Sequence, residues 1–112
     1  MSAAGGEADR WSPAKATDEI RAKAKDPSFQ LVWTKHARDQ MEERSLIMSD
    51  VLHLLKCGFV YEEGSPSTRP GCYKYKMEYV TPNSQGRTVC AVVIPDQSCL
   101  VKIVTVMWKD ES

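Results

Sequence analysis

Residues 72–80 read CYKYKMEYV, and they alternate without a break. In an extended chain successive side chains point to opposite faces, so Tyr73, Tyr75, Met77 and Tyr79 share one side and Lys74, Lys76 and Glu78 the other. A period of two predicts a strand with one face in a core and the other in water. The rest of the chain must supply neighbours for this strand and a layer for its apolar face.

Downstream, PNSQG at 82–86 is a turn signal, and RTVCAVVI at 87–94 is more continuously apolar, which predicts a central strand. PDQS at 95–98 then turns into CLVKIVTVMW at 99–108, which closes the sheet. Upstream, FVYEE at 59–63 reads as a short strand, followed by the Pro- and Gly-containing loop GSPSTRPG at 64–71.

Before Gly58 the period becomes helical. Ser49 suits an N-cap for DVLHLLKC, Gly58 stops that helix, and Val51, Leu52, Leu54 and Leu55 form its packing stripe with His53 off it. In WTKHARDQMEERSL, residues 33–46, Thr34 suits the N-cap of a helix running to about Arg44. Ala37, Met41 and Arg44 share one face of it, while Arg38 and Glu42 form an i,i+4 pair on the other. Arg44 can lie along the apolar surface and pair its head with an acid such as Asp50 or Glu62. FQLVWT at 29–34 reads as a first strand after Asp26-Pro27.

The segment PAKATDEIRAKAK at 13–25 has good helix formers, but Ile20 is its only large apolar residue. This predicts a helix on the surface or against a partner. Residues 1–12 are small and polar and are expected to be a disordered tail, leaving 13–112 as one domain. A strand, two helices and four strands joined by short turns make an α+β layer architecture.

Lys+Arg and Asp+Glu balance at 15 each. The whole chain therefore offers no strong field for nucleic acid or a membrane surface, but the charge is uneven. From residue 69 to 109, Arg69, Lys74, Lys76, Arg87, Lys102 and Lys109 face only Glu78 and Asp96. Asp39, Glu42, Glu43, Asp50, Glu62 and Glu63 make the middle acidic. The cysteines Cys57, Cys72, Cys90 and Cys99 show no CxxC pair, so no metal framework and no cofactor is implied. No apolar segment approaches bilayer length, and the start lacks the pattern of a signal peptide. The expectation is a cytoplasmic protein with free thiols and no membrane partner.

The elements HARDQMEERSL, SDVLHLLKCGFV, CYKYKMEYV, RTVCAVVI and KIVTVMW, in this order, resemble the family known as domain of unknown function 4258. His36, Arg38, Met41 and Arg44 with Ile103-Val104-Thr105-Val106 carry the resemblance, which runs from about Leu31 to Trp108. The family is similar to RelE-like toxins. That implies two to three helices on one face of a four- to five-stranded, mainly antiparallel sheet, with RNA against the other face. It also implies a toxin-like endoribonuclease or RNA-binding protein of a toxin–antitoxin system, of the mRNA interferase type, with a small antitoxin-like partner.

RNA cleavage by the 2′-hydroxyl requires a base, positive charge on the phosphate and an acid for the leaving oxygen. Lys74 and Lys76, two residues apart on one strand face, can hold a phosphate, and Arg87 joins them if Lys76 or Glu78 lies opposite it across the turn. His36 is the proton-transfer candidate. Its other reading is a histidine bonded to a backbone carbonyl where helix meets sheet. His36, Lys76 and Arg87 are thus the catalytic candidates, and Lys74, Arg69, Lys109 and Tyr79 the nucleic-acid contacts. Met41 and Arg44 are structural.

The bland readings are alternate lysines on a solvent face and tyrosines packed in a core with Met77. Neutral charge and the lack of a sheet histidine favour an alternative function, a non-catalytic protein-interaction module docking through the segments near Ile20 and Leu54. Self-association through an exposed FVYEE edge fits either function.

Overall fold

A computed structural model describes residues 10–67, 72–82, 85–96 and 99–111. The described elements are α1 (Pro13–Lys25), β1 (Gln30–Trp33), α2 (Lys35–Glu43), α3 (Met48–Cys57), β2 (Phe59–Val60), β3 (Ser65–Pro66), β4 (Tyr73–Val80), β5 (Thr88–Pro95) and β6 (Leu100–Trp108), with a final 3-10 turn over Lys109–Glu111. The fold is α+β, with three helices and a mainly antiparallel sheet in the order β1-β6-β5-β4-β2, and β3 paired to β4. As the apolar run at 87–94 predicts, β5 is central. The β1–β6 pair is parallel, with Leu31 beside Val101 and Trp33 beside Ile103.

Alternation sets the two faces. Tyr75 and Met77 are buried, opposite Val93 and Ala91 of β5, and the same side continues through Val101, Ile103 and Val106 of β6. Val51, Leu54 and Leu55 of α3, Ala37 of α2 and Ile20 of α1 join them in one core. The helices therefore share a face. Lys74, Lys76 and Glu78, with Thr88, Cys90, Val92 and Ile94 beside them in the register, occupy the helix-free face.

The expected strand at 59–63 pairs only at Phe59 and Val60, and the chain returns to β4 at Ser65 and Pro66 to make a sixth strand. Gly64 allows the close pass, because a Cβ there would stand 2.5 Å from the Tyr75 ring. Helix α3 begins at Met48 instead of after Ser49. Its N-cap is Ile47, whose backbone N–H donates to Oδ2 of Asp50, in the first turn, at 3.0 Å. Gly58 does end this helix, in an extended conformation, and a side chain there would strike the Leu54 carbonyl at 2.5 Å.

Helix α1 corrects the expectation that it lies on the surface. Ile20 and Ala16 are fully buried and Ala24 nearly so, because alanines let the helix approach closely enough for one isoleucine to reach the core. Leu54 is also fully buried, so neither it nor Ile20 is a docking surface. The Thr17 hydroxyl accepts from the Val60 N–H at 2.8 Å, and Arg21 donates to the carbonyls of Cys57 and Gly58. Within the FVYEE segment expected as an open edge, these contacts take up the Val60 N–H, while Tyr61 stays exposed. Trp11, placed in the tail by sequence, stacks on Tyr75 at 5.7 Å and donates its backbone N–H to the tyrosine hydroxyl oxygen, and Ser12 caps α1. Residues 1–9 lie outside the described residues.

Candidate functional site on the helix-free sheet face

The two lysines of β4 stand where alternation places them. Lys74 and Lys76 are half-buried on the helix-free face, and Lys102, exposed, belongs to the same face because it pairs with Ile94. Among the described residues, none of the three has an ion-pair partner. Between them runs an apolar strip of Val92 and Ile94, both half-buried.

Arg87 does not join this group. Lys76 pairs with Val92, five residues from Arg87, a separation of ~17 Å along an extended strand. Arg87 also has the parity of Val89, which faces the core. It lies 4.1 Å over the Trp108 ring and grips Asp110 with Nη2 to Oδ1 at 2.9 Å and Nε to Oδ2 at 3.2 Å. These hydrogen bonds and the guanidinium charge hold the Asp110 carboxyl below the usual carboxylate range.

His36 is exposed in the first turn of α2 and, among the described residues, makes no hydrogen bond to a carbonyl at the helix–sheet seam. Its helix flanks β6, and β5 separates β6 from β4, so about 10 Å of sheet lies between that flank and the lysine strand. The expected set of His36, Lys76 and Arg87 is thus distributed over three places.

Helix α2 has another task. Beyond the end of β1 it covers the edge of β6: the Thr34 hydroxyl donates to the Val104 carbonyl at 3.0 Å, and Gln40 Oε1 accepts from the Val106 N–H at 3.0 Å. Met41 packs on the core as expected. Arg44 pairs with Glu43 at 3.1 Å, and the i,i+4 ion pair of this helix is Lys35–Asp39 instead of Arg38–Glu42.

Sequence reading also missed what Glu78 does. Its side chain is only 8% exposed, although it shares the solvent-side parity of the lysines, and Lys109 meets its Oε1 at 2.5 Å. This hydrogen bond and charge raise the Lys109 pKa. The pair lines a cleft of about 620 Å³ with Phe59, Tyr61, Val80 and Thr88. Lys109, expected as a free phosphate contact, is therefore engaged by a carboxylate. Tyr79, expected as a stacking platform, has its ring 5.5 Å from His53 of α3 and reaches the cleft only at its wall. Arg69 lies outside the described residues.

Cys90, next to this cleft in β5, is fully buried, and burial raises its pKa, which keeps the thiol protonated and unreactive. All four cysteines are free thiols. Among the described residues no group of three or more His, Cys, Asp or Glu is placed to hold a metal, and no helix is long and apolar enough to cross a membrane.

No curated protein and no solved structure matches the chain. One family model does, described as a domain of unknown function, DUF4258, over residues 33–108. The match takes in α2, α3 and all of the sheet from β2 to β6, and it leaves α1 outside although Ile20 belongs to the same core. Since it spans about two thirds of the sequence and includes both the strand of Lys74 and Lys76 and the strand that ends at Trp108, the chain belongs to the family of domain of unknown function 4258.

Proposed function

We propose that the protein binds RNA on the helix-free face of its sheet, as a relative of the RelE-like toxins within a toxin–antitoxin type system. The observation that carries this reading is the group of Lys74, Lys76 and Lys102, which flank an apolar strip on a face that none of the described α-helices covers. Cations spaced along strands suit a phosphate backbone, and the flat apolar strip between them suits unstacked bases. Binding is better supported than cutting, because His36 and Arg87 stand away from the lysines. A small antitoxin-like protein is the partner this reading assigns to the same face when RNA is absent.

The test is to incubate the purified protein with a defined messenger RNA, with and without translating ribosomes, measure retention of the RNA and map new 5′ ends. The expected result is retention that weakens for every sequence with Lys76→Ala, with the melting curve unchanged. Retention indifferent to Lys76→Ala would remove this face from the contact. New 5′ ends that vanish in the variant would extend the reading from binding to endoribonuclease activity.

A second reading, a non-catalytic protein-interaction module, rests on a different surface. Ile47 and Met48, at the start of α3, are 52% and 54% exposed and adjacent. Large apolar side chains left in water together suit a protein partner. Co-purification of one protein that is lost with Met48→Lys and unaffected by Lys76→Ala would favour it.

A further inference from the structure

The cleft at the end of β4 combines three chemistries. Glu78 supplies a buried carboxylate whose one hydrogen bond among the described residues is from Lys109 to Oε1, although two carboxylate oxygens can accept about four. Tyr61 supplies a largely exposed ring stacked on Phe59 at 6.0 Å, whose own ring carries the Arg21 guanidinium at 4.4 Å. Lys109 supplies a half-exposed ammonium.

A buried acceptor left short of donors is costly unless something donates to it. A ligand satisfying the carboxylate and the exposed ring needs adjacent N–H donors on a flat ring. Among nucleobases, guanine alone offers two adjacent donors, N1–H and the N2 amino group, on its pairing edge; adenine and cytosine present single amino groups beside acceptors, and uracil one N–H between carbonyls. The volume of about 620 Å³ is within the range of small-ligand sites.

We propose that this cleft is a guanine-nucleotide subsite. The Glu78 carboxylate accepts from N1–H and the N2 amino group, the Tyr61 ring stacks on the base, and the Lys109 ammonium stays on Oε1. The assignment deepens the RNA-binding reading by naming the base that RNA would insert beside the lysine face, and it rests on that reading only for the RNA. An arginine side chain of a protein partner would also meet the carboxylate and the ring, but the lysines beside the cleft on the same sheet face favour a nucleotide.

The experiment titrates guanosine, inosine and adenosine 5′-monophosphates into the full chain by calorimetry, in parallel with a uridine hexamer carrying one central guanosine. Inosine lacks only the N2 amino group. The expected result is guanosine binding about tenfold tighter than inosine or adenosine, with the preference reduced to within about twofold by Glu78→Gln. Tyr61→Ala, at an exposed position outside the core, weakens all three nucleotides alike. Equal binding of the three nucleotides, or no binding of any, overturns the subsite, whatever the hexamer does. Selective binding of guanosine monophosphate without binding of the hexamer upholds the subsite and overturns the RNA reading. Binding of an arginine amide in place of guanosine monophosphate reassigns the cleft to a peptide.

Discussion

At Arg87 a single side chain shows how position on a strand decides a role. By composition it is one more cation beside a basic strand, but its parity turns it to the core side. There Trp108 and Asp110 occupy it. Its grip depresses the Asp110 pKa, so the contribution of this pair to stability is present above the ordinary carboxylate range near pH 4 and is lost as pH falls through the depressed folded value. Thermal melts of the wild type and Asp110→Asn should therefore differ by a constant margin above about pH 5 and converge below about pH 4. A margin that persists into strong acid would show that the pair adds nothing through charge. Glu78 and Lys109 are 31 positions apart, and no spacing rule joins them. Alternation could place Glu78 with the lysines, as it did, but only the folded register brings Lys109 to it.

At the scale of the element, what was legible followed periodicity, and what was missed followed approach distance. The strict alternation at 72–80 and the apolar run at 87–94 predict β4 and β5 because burial on one face or two writes directly into a pattern of period two. Helix α1 carries only one large apolar residue, and a count of such residues makes it peripheral. Its alanines hide the reason that it is not: Ala16 and Ala24 flank Ile20 on one side and remove the bulk that would hold the helix away from α3 and β2. Ile20→Ala should then cost about 3 kcal/mol, as for a fully buried aliphatic side chain. Urea unfolding measures it as a lower midpoint at unchanged slope. A loss below about 0.5 kcal/mol is what a surface residue gives, and it would return α1 to the status of an arm. The role of α2 was hidden for another reason. A glutamine that caps a strand edge, as Gln40 does for Val106, has no signature in a helix pattern.

For the whole molecule, zero net charge and a basic face are compatible because the fold sorts the charges. Lys74, Lys76, Lys102 and Lys109 share the helix-free side with the Glu78 carboxylate, while the exposed acids Asp39, Glu42 and Glu43 ride on α2. A polyanion sees the local face, since beyond about 8 Å at physiological salt the distant charges are screened. The net charge therefore sets solubility and long-range steering, and the face sets the contact. Counterion release makes this quantitative. If the three lysines without ion-pair partners each neutralise one phosphate of single-stranded RNA, the logarithm of the binding constant should fall against the logarithm of salt with a slope of about −2, at about −0.7 per contact. Lys76→Ala should bring the slope to about −1.4 and leave the difference between base sequences unchanged. Glu78→Gln should do the reverse, altering the base preference without flattening the slope, because it changes an acceptor in the cleft and removes no phosphate contact. A slope near zero with binding retained would mean that stacking in the aromatic cleft, and not the lysine face, holds the RNA, so one salt titration of three proteins separates the two halves of the surface.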